Sequence, residues 1–413
     1  MQEALFMLTI GLIEDLARLN RLRQPEPLLF AKGAGAKGVF VPYISMKEYT
    51  KACFLQDAET ETPVFVRFSR MMGRAGSSDT ARDIRGFFVK FFTGEGIYDM
   101  PGVNIPVAFI KDPEKYPALL EALSPCTKTN IMEPERLWRF VAENPESMHM
   151  ITWLYSNRGT IKSYRTMEGH SVHTFVWEND KGESFWVRYH WKPFEGVEEI
   201  NRQEAEFLAG YDPDAASRDL AGVLERGGSI KYELCVQLIS TGQNVESEMS
   251  LLDPTVLWPE TSVPWTKVGK MILRSGVEDY RAEVENCYFS PGRLIPGIDL
   301  SPEPLLIAMT YFSLDHERCR TGNTYMAVDP TFLQQKVSTG GAKIQHYEPN
   351  HLITGQLAWR LQSMDEKEKN ALIDNMGEEM LFIGENIQRV IVQYLKDANT
   401  AVGNSLEKWL GLC

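Results

Sequence analysis

The sequence predicts a mixed α+β protein: a large antiparallel β-barrel of eight strands, with a helical unit at its C-terminal end. Three observations carry this. Between residues 38 and 275 the chain holds eight short β-branched or aromatic runs bounded by turn residues. Two of them, HTFVWEN (173–179) and SFWVRYHW (184–191), are joined through the polar, Gly-containing ENDKGE, which reads as a hairpin. Beyond residue 350 such runs stop and helical periodicity replaces them. A sheet of hairpin-linked strands leaves two unpaired edges unless it curls shut, so closure as a barrel is expected.

In chain order, residues 8–22 predict an amphipathic helix, with Leu8, Leu12, Ile13, Leu16 and Leu19 at helical spacing. The first four strands are expected at GVFVPY (38–43), PVFVRFS (63–69), GFFVKFF (86–92) and IPVAFI (105–110). The hairpin pair, YELCVQLI (232–239) and GKMILRS (269–275) complete the set. Helices are expected at 133–146, at 201–210 and at 301–320, the last opened by Ser-Pro-Glu-Pro. Residues 329–350 are polar with Gly-Gly and read as a linker, and 364–376 and 384–398 have helical period. The expected units are an N-terminal helix or arm (1–30), a barrel domain with inserted helices (31–328), the linker (329–350) and a helical domain (351–413).

Composition excludes several classes of function. Hydrophobic residues make up 43% of the 413 and charged residues 24%, the balance of an ordinary globular protein. Forty-three basic against 56 acidic residues give a formal charge of −13, which argues against binding nucleic acid or an anionic membrane. No apolar run reaches the roughly 18–20 residues of a membrane span. The run Leu5–Ile13 is preceded by Glu3, where a signal peptide needs basic residues. Six scattered cysteines without a C-x-x-C pair suit a reducing compartment, so a cytoplasmic location is expected.

Few local motifs carry chemistry by themselves. KGAGAKG (32–38) fits neither a P-loop nor a dinucleotide fingerprint and reads as a tight turn into the first strand. GRAGSSDTARDIRGF (73–87) packs Arg74, Arg82 and Arg85 with Asp79 and Asp83, and an ion-pair network is favoured over an anion site. Among the seven histidines, His170 and His173 lie three apart but need not share a face, and no metal site is expected. No G-x-S-x-G elbow is present.

Larger blocks are more telling. FAKGAGAKG (30–38), FVRFSRMMGRAGSSDTARDIRGFFVKFF (65–92), PVAFIKD (106–112), SYRTMEGHSVHTF (163–175), YHWKPFEG (189–196) and IPGIDLSP (295–302) resemble signature blocks of the monofunctional haem catalases. GQLAWRLQSMDEKEKNALIDNM (355–376) resembles that family's C-terminal helical region. The resemblance implies the catalase fold: an eight-stranded antiparallel barrel, a wrapping segment and a helical domain. Relative to the family, the N-terminal arm is largely absent and the wrapping segment (329–350) is abbreviated. Those parts interlock tetramers in the family, so a homo-oligomer, dimer or tetramer, with less arm exchange is expected.

The resemblance also implies which positions do the chemistry, and here most of them are changed. Phe30 stands where the family has its distal histidine, and Val103 where it has its distal asparagine, with Asn104 beside it. Ser313 stands for the tyrosine that ligates iron, and Met309 for that tyrosine's arginine partner. Ala108 replaces the phenylalanine that stacks on the haem, and Pro27 an arginine on a propionate. Arg67, Ser69, His173 and Arg320 match the family as supporting residues.

The expectation is therefore a protein without ordinary catalase activity and without a cofactor, haem being the alternative. The former haem pocket is expected to consist of Phe30, Arg67, Ser69, Val103, Ala108, Met309, Ser313 and Arg320. Two uses compete with a haem protein of altered chemistry. One is a pocket for a small, partly apolar ligand with an anionic end; the other is a filled, non-enzymatic scaffold in which Glu303 or Glu317 neutralises the arginines. His316, one turn after Ser313, is a fallback iron ligand only if the haem shifts along the helix.

Overall fold

The computed structural model describes residues 26–242, 251–321 and 351–412. The expected helix at 8–22 and the linker at 329–350 lie outside them. Ten strands occur among the described residues: β1 (Gly33–Pro42), β2 (Thr62–Arg70), β3 (Arg85–Thr93), β4 (Gly96–Met100), β5 (Gly169–His170), β6 (Phe175–Glu178), β7 (Ser184–Pro193), β8 (Ile230–Ser240), β9 (Thr266–Ser275) and β10 (Ile298–Leu300). They form one antiparallel sheet in the order β10-β6-β7-β8-β9-β1-β2-β3-β4, with β5 also on β7.

The sheet curls, and its seam is closed by one residue. Val103, three residues past β4, bridges to Gly86 of β3 and to His170 of β5. Its N–H donates to His170 O at 2.9 Å, and the His170 N–H donates back at 2.7 Å. With β5 and β6 taken as one interrupted strand, the ring has eight staves, as expected. Inside it, alternate side chains such as Phe40, Phe87, Phe91, Tyr189 and Trp191 form the barrel core.

One expected strand is wrong. IPVAFI (105–110) forms no strand; Ile105, Val107, Phe109 and Ile110 are all buried among helices. A run apolar at every position carries no strand alternation, and Pro106 withholds a ladder donor. The stave in its place is β4, joined to β3 by the two residues between Thr93 and Gly96.

KGAGAKG is also corrected: from Gly33 it is strand, not turn. Its glycines permit close approach of neighbouring backbone. A Cβ on Gly38 would lie 2.1 Å from Ile272 O of β9, at the bulge between Lys37 and Gly38. Gly38→Ala is therefore expected to destabilise the fold by about 1–3 kcal/mol, read as a lower urea midpoint.

Ten helices are described: α1 (Tyr116–Ala122), α2 (Pro134–Glu143), α3 (Ser147–Leu154), α4 (Arg202–Tyr211), α5 (Ala215–Glu225), α6 (Pro304–Thr321), α7 (His351–Ser363), α8 (Glu366–Met380), α9 (Glu385–Ala398) and α10 (Thr400–Trp409). Side-chain caps fix several starts. Asn201 accepts from Glu204 N at 2.9 Å, and Asp365 accepts from Glu368 N at 2.8 Å. A second core joins the helical C-terminal unit to residues 105–155, with Trp138, Leu361, Met376 and Ile391 fully buried in it. Among the described residues no helix is long and apolar enough to cross a membrane.

The 73–87 stretch departs from the expected network of ion pairs among its own charges. Arg85 is fully buried and donates to main-chain carbonyls, including Gly159 O and Asp79 O at 2.9 Å each. Arg82 donates to Leu154 O at 2.7 Å and Ser156 O at 2.6 Å. The aspartates pair with cations from outside the stretch: Asp83 with Arg70, and Asp79 with Lys32, each at 3.0 Å. Irregular backbone buried between barrel and helices needs donors, and guanidinium groups supply them.

Candidate functional site

A cavity of about 270 Å³ lies between the seam side of the barrel and α6. One face of α6 forms its helical wall. Leu305, Met309, Phe312, Ser313 and His316 recur at spacings that bring them to the same side. The opposite wall comes from Arg67 of β2, Phe88 of β3 and the Pro101–Val103 seam. The lining is mostly apolar.

The structure assembles most of the expected pocket. Phe30, Arg67, Val103, Ala108, Met309 and Ser313 all line this one space, and Pro27 joins them. Two expected members are not placed there. Ser69 is fully buried in β2 but does not line the cavity: the Phe88 ring packs over Gly86 beside it and forms the wall at that point. Arg320 falls in α6, and its side chain lies outside the described ones.

Phe30, Ser313 and Asn104, the neighbour of Val103, each have local partners. The Phe30 ring meets Phe88 edge-on at 5.0 Å. Its backbone is left-handed, with φ 59°, and Val172 on the same cavity has φ 61°. Such a conformation is costly for a β-branched or bulky residue and gathers at functional sites. Asn104, next to Val103, is turned into structure: its Oδ1 accepts from Arg85 N at 2.7 Å and its Nδ2 donates to Arg158 O at 3.0 Å. The Ser313 hydroxyl donates to Thr310 O of its own helix at 2.9 Å and lies 3.1 Å from Ser290 Oγ.

Among the described residues, two formally charged side chains, Arg67 and Glu285, line the cavity. Arg67 is buried and donates from Nη2 to Phe30 O at 2.7 Å and from Nε to Val284 O at 3.1 Å. Glu303 is committed elsewhere, to His173 Nδ1 and to Thr174 N at 3.0 Å. Glu317 reaches Arg293 at 3.2 Å. With Nδ1 on Glu303, His173 has Nε2 left for the cavity that its ring lines.

Several lining residues carry no signal in the local sequence. Cys287 lines the cavity, and burial pushes its thiol upward, which keeps it protonated. Tyr116, Tyr288 and Phe289 join it only through long-range packing. A second set of candidate ligands lies outside the cavity: Glu168, His170 and His190. The sequence weighed His170 with His173; the structure places His170 against His190.

Comparisons with known proteins agree with this architecture. The family profile described as Catalase matches residues 2–350. Catalase-2 of Bacillus subtilis (strain 168) is 44% identical over 313 residues, covering 75% of this chain but 46% of its own length. The chain thus spans about half the length of that relative. The catalase of the Onchocerca volvulus endobacterium is 33% identical and aligns over 97% of this chain and 92% of its own. Catalase A from Saccharomyces cerevisiae superposes with a TM-score of 0.90 at 26% identity, covering 97% of this chain and 93% of its own. A family profile over more than four-fifths of the sequence, and the same curled sheet with C-terminal helices in solved relatives, lead to one assignment: the chain belongs to the catalase family.

Proposed function

We propose that this catalase-family chain does not dismutate hydrogen peroxide and folds without haem. Its cavity instead receives a small, partly apolar molecule whose anionic end meets Arg67. One observation carries the reading. The cavity persists at about 270 Å³ while Phe30, Val103, Met309 and Ser313 line it at the positions where the resemblance implies reactive groups. Cleaving the O–O bond needs a group that takes and returns a proton, and a phenyl ring cannot.

The residues present do not fit a haem held as the resemblance implies. That site needs an anionic oxygen donor on iron. The Ser313 hydroxyl is far too weak an acid to supply one, and it is spent on Thr310 O. Met309 offers no charge to acidify it. A second reading, a haem-dependent oxidoreductase with altered ligation, rests on His316, which lines the cavity. A filled scaffold is disfavoured by the open space itself.

The protein expressed with haem supply and purified tests both readings. The expected absorption spectrum is flat in the Soret region, with no oxygen evolution from peroxide, and Phe30→His alone restores none. Stoichiometric haem, or oxygen release at a rate typical of the family, overturns the proposal. On the same preparation, small carboxylates are expected to raise the melting temperature of the wild type and not of Arg67→Ala. The proposal includes self-association, which the exposed, stacked Phe207–Tyr211 pair on α4 would suit, and a cytoplasmic location with no nucleic-acid or membrane partner.

A further inference from the structure

We propose that Glu168, His170 and His190 form a binding site for a zinc-class divalent cation on the outside of the barrel seam. The strand register builds it. Glu168 and His170 are two residues apart on an extended segment and so share a face. His190 of β7 is the register partner of His170. Tyr189 and Trp191, the neighbours of His190, belong to the barrel core, so His190 points outward. Gly169 faces the Phe87 ring of the same core, which turns Glu168 and His170 outward as well.

The distances suit a cation. The ligand atoms of the three residues all lie within 4.8 Å of one another. His190 Nε2 is 3.2 Å from Glu168 Oε1, and His170 Nε2 is 4.0 Å from Glu168 Oε2. Two ligands held about 2.0–2.1 Å from a tetrahedral zinc are separated by about 3.3 Å. The first pair has that spacing already; His170 needs a small inward shift. The two imidazole rings lie nearly parallel with centroids 4.1 Å apart.

The surroundings suit this arrangement. Arg158 pairs with Glu168 and, at 2.9 Å, with Glu199. It can therefore orient the carboxylate from behind while its charge is shared with a second acid. His190 turns Nε2 to Glu168, while its Nδ1 is buried without a hydrogen-bond partner among the described residues.

Two imidazoles and one carboxylate select zinc or a neighbouring transition metal over magnesium or calcium, and the fourth position is left to water. A cation here would pin β5 to β7 at the point where Val103 closes the barrel. Because Val103 also lines the cavity, the site would brace the cavity wall. It stands independently of what the cavity binds.

The test is titration of the full chain, stripped with a chelator, with Zn²⁺ by calorimetry and with Co²⁺ by visible absorption. The expected result is one equivalent bound, tetrahedral Co²⁺ bands and a raised melting temperature. His170→Phe, which keeps an aromatic ring on His190, is expected to weaken binding by about tenfold to a hundredfold or more. Glu168→Gln serves as the second variant should His170→Phe fail to fold. No saturable binding, or binding of unchanged affinity in a folded variant, overturns the site and shows only scattered surface ligation.

Discussion

Asp83→Ala is expected to lower stability by about 3–5 kcal/mol, the cost of leaving a buried charge without its partner. The Asp83 side chain has no solvent exposure, and its partner Arg70 has 8%. Oδ2 accepts from Arg70 Nε at 3.0 Å and from Gly73 N at 3.2 Å, while Oδ1 accepts from Ile84 N at 2.8 Å. Alanine would strand the guanidinium and these main-chain donors together. The loss is a large share of the roughly 5–15 kcal/mol that a folded domain has to spare. Because Met71 lines the cavity and adjoins Arg70 and Met72, the wall there should loosen. Denaturant titration of wild type, Asp83→Asn and Asp83→Ala checks this. Asparagine, which keeps acceptor geometry without charge, should fall between them; a midpoint for Asp83→Ala equal to wild type refutes it.

Acid should destabilise the fold earlier than carboxylate titration alone would. His149, on α3, is fully buried against the 253–258 segment, and both ring nitrogens are used in the neutral form. Nδ1 lies 2.9 Å from Thr255 O, to which it donates, and Nε2 accepts from the Trp153 indole at 3.2 Å. Protonation would put a second donor against the indole N–H. Burial pushes this imidazole down to about 4 from a usual 6.5. The unfolded chain therefore takes up a proton as pH falls through 6.5, and the folded chain does not until about pH 4. Stability is retained above 6.5 and lost progressively below it, by on the order of 3 kcal/mol once pH 4 is reached. His170 and His190 act in the same direction. Denaturation midpoints measured between pH 7 and pH 4 should decline, and less steeply in His149→Gln. An identical slope in that variant would remove His149 from the account.

Much of the architecture was readable without coordinates, because it rests on local patterns. Strands such as PVFVRFS and SFWVRYHW announce themselves through β-branched and aromatic content, and the helices at 133–146 and 384–398 through their period. The cavity residues Phe30, Val103, Ala108, Met309 and Ser313 were reached only by aligning signature blocks, since nothing near them in the chain marks a site.

What local pattern misreads is instructive. IPVAFI looks like a strand until its place between the helical core and the cavity is known. GAGAKG looks like a turn until the approach of β2 and β9 explains its small residues. The sequence by itself determined seven of the eight expected strands, the helical character of the C-terminal unit and the acidic balance, while the family resemblance pointed to the cavity positions. Only the tertiary structure decided that β4 and Val103 close the barrel, that Ser69 sits behind Phe88, and that His170 meets His190 and Glu168. The reason is physical. Helical and strand periods are set by neighbours within a few residues, whereas ladder register and cavity shape come from contacts between segments tens to hundreds of residues apart. The packing of the whole core selects among those contacts.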